Sequence, residues 1–128
     1  MKYLIDTHIL IWYALNDKAL SSKVIDVIKN LDNQILISKA SLWEMAIKIN
    51  IGKLDLRGLP FSEIENLLAE NNIGVLDIQF AHFNTLLSLP LHHGDPFDRL
   101  IISQALTDDL TVISDDGKFK LYALKLFG

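Results

Sequence analysis

Two spacings of hydrophobic positions alternate along the chain. Compact apolar runs at residues 2–5, 35–37, 74–78 and 111–114 predict four strands, and the tail from Leu121 predicts a fifth at a sheet edge. Between these runs, apolar residues recur at helical spacing. Strands that are separated by helices imply a parallel sheet with helices on both faces, so the pattern predicts an α/β fold.

The predicted helices are bounded by capping residues and helix breakers. Thr7 is expected to cap the first helix, Ser62 and Glu65 form a capping-box pattern, Gly52 ends the third helix, and Pro96 suits the first position of the last. In a parallel α/β sheet the functional cleft lies at the carboxyl ends of the strands. The predicted helices are residues 8–15, the segment opened by Ser21 and Ser22, a segment through 42–49, residues 62–71, residues 80–89 and the segment from Pro96.

Composition narrows the class of protein. A chain of 128 residues fits one domain, predicted to span residues 1–128, and 50% hydrophobic with 22% charged residues is typical of a folded protein. The absence of Cys excludes disulfides and thiolate metal sites. Apolar stretches fall short of the roughly 20 residues that span a bilayer, and no signal-peptide pattern is present, so a cytoplasmic protein with no membrane partner is expected.

Acidic residues follow the predicted strands. Asp6 ends the first strand, Asp115 and Asp116 follow the fourth, and Glu44 lies early in the helix after the second. Three segments therefore bring carboxylates to one edge of the sheet. Asp98 opens the helix before the fourth strand, but spacing does not determine whether it joins that edge. The net charge of −4 argues against nucleic-acid binding unless these acids hold divalent cations that reverse the local field.

Each acid also has a purely structural explanation. Asp6 and Asp95 can cap helices, Ser41-x-x-Glu44 matches a capping box, Asp98 suits a first helical turn, and Asp115 and Asp116 precede a turn at Gly117. Only their joint convergence favours a metal site. Carboxylate oxygens suit Mg²⁺ or Mn²⁺, and such ions support phosphodiester hydrolysis.

Four segments together resemble a known family. In order they are residues 4–8 (LIDTH), 41–48 (SLWEMAIK), 93–105 (HGDPFDRLIISQA) and 112–119 (VISDDGKF). They closely resemble the PIN-domain family, and in particular the VapC-like toxins of bacterial type II toxin–antitoxin pairs. The resemblance covers nearly the whole chain.

The resemblance implies a site and its cofactor. Asp6, Glu44, Asp98 and Asp116 match the family's four acids, which would bind one or two Mg²⁺ or Mn²⁺ ions. The family's last acid lies three residues before an aromatic, here Phe119, which favours Asp116 over Asp115. Asp115 itself replaces the usual basic residue of that motif.

The same resemblance implies activity and partners. It predicts a Mg²⁺-dependent endoribonuclease with a five-stranded parallel sheet, an RNA substrate, a homodimeric state and a cognate antitoxin that inserts a segment into the active site. Thr7 and Ser114 are expected to hydrogen-bond the acids. Lys48 and Arg99 are expected either to hold RNA phosphate or to neutralise the acids, and the sequence does not choose between these roles.

Other interpretations remain open from sequence alone. A receiver domain with Asp55 as phosphoacceptor would also place Mg²⁺ at strand ends, although it needs paired acids after the first strand. A PIN-fold nuclease of RNA or DNA processing and an inert binding module are the further alternatives. His8 follows Asp6, and His92 and His93 precede Asp95, which is compatible with a place near the same edge of the sheet, but loop residues with local hydrogen bonds are the favoured interpretation; no zinc-site spacing is present.

Overall fold

The computed structural model describes residues 1–127, so the last residue of the predicted domain, Gly128, lies outside the described residues. All five strands pair in parallel in one sheet, in the order β3-β2-β1-β4-β5. This confirms the predicted fold class. The strands are β1 (Lys2–Ile5), β2 (Gln34–Ser38), β3 (Ile73–Leu76), β4 (Thr111–Ile113) and β5 (Lys125–Phe127).

In the part of the chain that the structure describes, six α-helices and one 3₁₀ helix connect the strands. No helix within residues 1–127 is long and apolar enough to cross a membrane. The helices are α1 (Thr7–Leu15), α2 (Ser22–Lys29), α3 (Lys39–Asn50), α4 (Ser62–Glu70), α5 (Phe80–Leu87) and α6 (Pro96–Asp108), and the 3₁₀ helix covers Gly117–Leu121.

The central strands β1, β2 and β4 read as continuous apolar runs because both of their faces are buried. Successive side chains of a strand point to opposite faces, so Ile5 packs under α1–α4 while its neighbour Leu4 packs under α5 and α6. Ile113 and Val112 divide in the same way. Two hydrophobic layers therefore hold the sheet and fix the edge at which its strands end.

Two predicted caps differ in the structure. Asp6, and not Thr7, caps α1, because Asp6 has an extended backbone and its side chain accepts the N–H of Ile9. The Ser62–Glu65 capping box does not form: α4 already includes Ser62, its preceding residue Phe61 has helical backbone angles, and no side chain caps it. A residue inside the first turn cannot fold back as a cap.

The sheet order creates a crevice between β1 and β4. The chain leaves β1 towards β2 and leaves β4 towards β5, so neighbouring strands send their connections to opposite sides. Ligands of open α/β sheets bind in such a crevice, outside the carboxyl ends of the strands. Asp6 lies directly in it, and its N–H bonds to the carbonyl of Ile113 at 3.0 Å. We call this carboxyl edge of β1, β2 and β4 the rim.

Candidate metal centre at the carboxyl edge of the sheet

Asp6 both caps α1 and faces the rim, so its capping role does not remove its side chain from the candidate site. Its Oδ1 accepts the N–H of Ile9 at 3.0 Å, and its Oδ2 accepts a short hydrogen bond from the hydroxyl of Ser114. The residue is 4% exposed. A carboxylate that two elements hold in this way is fixed in orientation and largely removed from water.

Glu44 reaches the rim from the second turn of α3. The hydroxyl of Thr7 lies 2.8 Å from Glu44 Oε1, and Lys48 Nζ lies 2.7 Å from Oε2. The predicted Ser41–Glu44 capping box does not form, because Ser38 at the end of β2 caps α3 by accepting the N–H of Ala40. The Glu44 side chain is therefore free of a capping role and is directed to Thr7 and Lys48.

Asp98 joins the rim because α5 and α6 run antiparallel. His82 near the start of α5 contacts Asp108 at the end of α6, and Thr85 contacts Thr107. The hairpin brings the chain back to the rim before α6 begins. Asp98 then lies in the first turn of α6.

Asp95 caps α6, as its position before Pro96 predicts. Its Oδ1 accepts the N–H groups of Phe97 at 2.9 Å and Asp98 at 3.1 Å. The side chain of Asp95 is thus committed to the helix N-terminus, while that of Asp98 is directed elsewhere.

Asp116, and not its exposed neighbour Asp115, is tied to the other acids. Its N–H bonds to Ser114 Oγ at 3.0 Å, and the same hydroxyl donates to Asp6. Its Oδ1 caps the 3₁₀ helix by accepting the N–H of Lys118 at 2.9 Å. Ser114 therefore connects the acid after β1 with the acid after β4.

The electrostatics of the rim reflect crowded negative charge. Burial raises the pKa of the Asp6 carboxyl above its usual value. Burial, followed by the carboxylates of Asp95 and Glu44, raises the pKa of Asp98 to about 6. The hydrogen bond to Glu44 raises the pKa of the Lys48 ammonium. Lys48 thus neutralises Glu44, whereas burial makes the charges of Asp6 and Asp98 unfavourable.

His93 lies in the loop before α6, as the sequence predicts, but His93 and Arg99 make contacts that the sequence did not predict. His93 is buried, and its Nε2 lies 2.8 Å from Asp98 Oδ2 and 3.4 Å from Asp116 Oδ2. Within residues 1–127, Arg99 forms no salt bridge with an acid. Its guanidinium instead donates to the carbonyls of Leu89, Pro90 and His93. Arg99 therefore fixes the loop before α6, which is neither of the two roles predicted for it.

The donor set of the rim fits a hard divalent cation. Its carboxylates and hydroxyls offer oxygen ligands, and among residues 1–127 Asp6 forms no salt bridge that would balance its buried charge. One oxygen each of Asp98 and Asp116 lies within 4.8 Å of the other and of His93 Nε2. A cleft of about 250 Å³ opens beside them, lined by Asp6, His8, Trp12, Asp115 and Asp116.

Comparison with known families identifies the domain. The family model of the PIN domain matches residues 3–125, which include all four candidate acids. The chain belongs to the PIN domain family. Membership excludes the receiver alternative, and Asp55, its supposed phosphoacceptor, is an exposed residue of the loop after α3.

Solved structures share this PIN fold over almost the whole chain. VapBC2 from Rickettsia felis, bound to a DNA fragment from its promoter, superposes with a TM-score of 0.74 at 23% identity and covers 99% of this chain and 98% of that chain. VapBC-1 from nontypeable Haemophilus influenzae gives 0.70 at 18% identity, covering 99% and 97%. A toxin–antitoxin complex from Klebsiella pneumoniae gives 0.62 at 16% identity, covering 98% and 96%. A search of curated proteins finds no match.

Proposed function

We propose that this PIN domain is a Mg²⁺- or Mn²⁺-dependent endoribonuclease and the toxin of a VapBC-type toxin–antitoxin pair. PIN domains are nucleases, and the chain has the fold of VapBC proteins. The observation that carries the proposal is the convergence on one rim of acids from separate elements, of which Asp6 and Glu44 are buried and Asp98 and Asp116 half-buried. Asp6, Glu44, Asp98 and Asp116 are proposed as the metal-binding and catalytic residues.

The chain's own side chains would preset the site for phosphodiester hydrolysis. Ser114 holds one oxygen of Asp6, and Thr7 holds one oxygen of Glu44, so each acid is oriented before any ligand arrives. Lys48 balances Glu44 and leaves the charge of Asp6 and Asp98 for the cation. A bound Mg²⁺ or Mn²⁺ would supply Lewis acidity and an activated water for attack on phosphorus.

The proposed partners are RNA, a cognate antitoxin and a second copy of the chain. The antitoxin is supported by the similarity to solved VapBC proteins and to a toxin–antitoxin complex. Apolar side chains that a lone chain leaves exposed are consistent with a homodimer and an antitoxin surface. They include Trp43, Phe80 and Leu87, which are 60%, 80% and 87% exposed.

A PIN nuclease that processes RNA and is not a toxin is the second candidate. The PIN domain endonuclease Utp24 shares the fold with a TM-score of 0.52 at 12% identity, over 93% of this chain and 74% of that one. The higher scores of the VapBC proteins favour the toxin. A small neighbouring gene for a DNA-binding antitoxin would distinguish the two.

Expression in a bacterial host tests the proposal in cells. Induction of the wild-type chain should arrest growth, and Asp6→Asn should abolish the arrest, since the carboxamide keeps the size of the side chain and an acceptor for the Ile9 N–H but loses the charge that binds a cation. Asp108→Asn, at the far end of α6, is the matched control and should remain toxic. Equal toxicity of wild type and Asp6→Asn would contradict the proposed site.

A further inference from the structure

Among residues 1–127, His93 is the one buried histidine that contacts the rim. It lies in the loop between α5 and α6 and is 7% exposed. Its Nε2 contacts Asp98, which α6 carries, at 2.8 Å, and lies 3.4 Å from Asp116, which follows β4. One imidazole nitrogen therefore lies between carboxylates of two separate elements.

The surroundings of the imidazole determine which nitrogen carries the proton. Nδ1 accepts the backbone N–H of Asp95 at 3.3 Å, so Nδ1 presents its lone pair. A neutral imidazole then has its proton on Nε2, the nitrogen that faces Asp98 and Asp116. The hydrogen bond from the Asp95 N–H thus selects the tautomer that donates to Asp98 and faces Asp116.

The histidine backbone is fixed from two further directions. Its N–H donates to the hydroxyl of Tyr122 at 2.9 Å, and its carbonyl accepts from Arg99 Nη1 at 3.4 Å. The ring also lies near that of Phe119, with centroids 6.3 Å apart. Contacts with both the loop and the segment after β4 leave the imidazole little freedom to turn.

We propose that His93 is a positioning residue whose Nε2–H bridges Asp98 and Asp116 and is not itself a metal ligand. This inference rests on the proposed function, since it assigns those two acids to the cation. A carboxylate that accepts a bond from a fixed donor on one oxygen has its other oxygen oriented as well. His93 therefore holds two acids of like charge in a fixed relation.

A ligand role for His93 conflicts with the same geometry. Binding a cation through Nε2 needs the lone pair there, which moves the proton of a neutral imidazole to Nδ1. That proton would face the N–H of Asp95, so two donors would meet and one hydrogen bond would be lost. The structure favours the bridge, although three potential donor atoms lie close enough to suggest a His-Asp-Asp metal site.

His82 offers a matched control on the same pair of helices. Its Nδ1 accepts the N–H of Gln79 at 3.0 Å, and its Nε2 lies 3.0 Å from Asp108 Oδ2. The arrangement copies that of His93, but Asp108 is about 15 Å from Asp98 along α6 at 1.5 Å per residue. Replacing His82 should therefore destabilise the fold about as much as replacing His93 does, without changing the contacts at the rim.

The first test reads the proton directly and needs no variant. In ¹⁵N-labelled, metal-free full-length protein, long-range ¹H–¹⁵N spectra should show His93 as the Nε2–H tautomer. Mn²⁺ is then added, and the coupling of its unpaired electrons to nitrogen is measured. No imidazole coupling is expected, whereas an imidazole coupling that disappears in His93→Gln would identify a ligand and overturn the inference.

The second test separates positioning from folding. His93→Gln places an amide N–H near the position of Nε2 and should bind Mn²⁺ within about threefold of wild type. His93→Leu keeps the bulk without a donor and should weaken Mn²⁺ binding by about 10- to 100-fold, the range for partners that orient metal ligands. His82→Leu should leave Mn²⁺ binding unchanged. Circular dichroism melts confirm that each variant is folded.

The outcomes distinguish this inference from the proposed function. Equal Mn²⁺ affinity of His93→Leu, His93→Gln and wild type would overturn the bridge while leaving the metal site intact. Absence of Mn²⁺ binding by the wild type would overturn the proposed function and the role of His93 with it. If His93→Leu does not fold, an Nδ1–H tautomer in the spectra of the wild type still contradicts the inference.

Discussion

The two ends of α6 carry similar residues in different surroundings. Each end has two acids and a buried histidine, namely Asp95, Asp98 and His93 at the N-terminus and Asp108, Asp109 and His82 at the C-terminus. At the C-terminus each acid has its own partner. Asp108 contacts His82, and Asp109, whose side chain is 81% exposed, pairs with Lys125 at 2.8 Å.

The N-terminal end is different because its charges are shared between elements. His93 contacts acids from α6 and from the segment after β4. The charges of Glu44 and Asp6 also contribute to the raised pKa of Asp98. Like charges held together raise one another's pKa and destabilise the folded chain. Such crowding at a sheet crevice is characteristic of functional sites, while the paired acids of the other end need no ligand to explain them.

The largest expected effect is on RNA cleavage. Asp98→Asn should reduce Mg²⁺-dependent cleavage of a fixed RNA by at least about 100-fold, because it removes a charge that would bind the cation. Asp108→Asn, at the paired end of the helix, should cleave like wild type. Cleavage is measured as initial rates with purified protein. Equal losses of cleavage in both variants would contradict the proposal that only the N-terminal end of α6 contributes to the cation site.

Divalent cations should also stabilise the rim. Mg²⁺ or Mn²⁺ at about 100 times its Kd should raise the free energy of unfolding by about 2.7 kcal/mol through binding linkage. Asp6→Asn should be more stable than wild type in EDTA, since a buried charge is lost, and should gain less on adding the cation. Thermal melts with and without Mn²⁺ check both expectations. A wild-type Tm that does not change when Mn²⁺ is added would contradict the proposed cation site.

The fold was predictable because local pattern and global topology agree. Apolar runs separated by helical spacing are sufficient to give a parallel sheet, and Asp6 and Asp116 reach the rim simply by following β1 and β4. Asp98 could not be placed in this way. Its position depends on the α5–α6 hairpin, where His82 meets a partner 26 residues away.

The role of His93 was hidden for a related reason. Its tautomer depends on the N–H of Asp95, and its backbone on the hydroxyl of Tyr122, 29 residues along the chain. The Ser41–Glu44 motif led to a different error. Its sequence predicts a helix cap, but both residues lie inside a helix that Ser38 already caps. Motif spacing identifies residues, but long-range contacts decide what they face.

The pH dependence of stability should differ between wild type and Asp98→Asn. Asp98 has a folded pKa of about 6, above the ordinary 3.8, so between pH 4 and 6 the unfolded chain releases this proton more readily than the folded one. The contribution of Asp98 to stability is therefore present below about pH 4 and is lost as pH rises to 6.

Without metal, the free energy of unfolding of Asp98→Asn should therefore rise relative to that of wild type by an amount on the order of 2 kcal/mol between pH 4 and 6. Urea unfolding in EDTA at pH 4, 5, 6 and 7 measures the difference. A difference that stays constant with pH would show that neither burial nor the neighbouring acids raise the pKa of Asp98.

The smallest expected effect separates Asp95 from Asp98. Asp95→Ala should cost about 1 kcal/mol of stability through the lost cap of α6, while substantial RNA cleavage remains. Melts and cleavage rates of the two variants are compared side by side. If Asp95→Ala is well folded and inactive, the assignment of roles through residues 95–98 is wrong.

The central claim is that the rim, and not any other acid cluster of this chain, binds a divalent cation. The most direct test is a crystal of the full chain grown with Mn²⁺, with diffraction data collected at the Mn absorption edge. An anomalous peak is expected among Asp6, Glu44, Asp98 and Asp116. A peak at Asp108 and Asp109, or no peak at the rim at Mn²⁺ concentrations that support cleavage, would contradict the account.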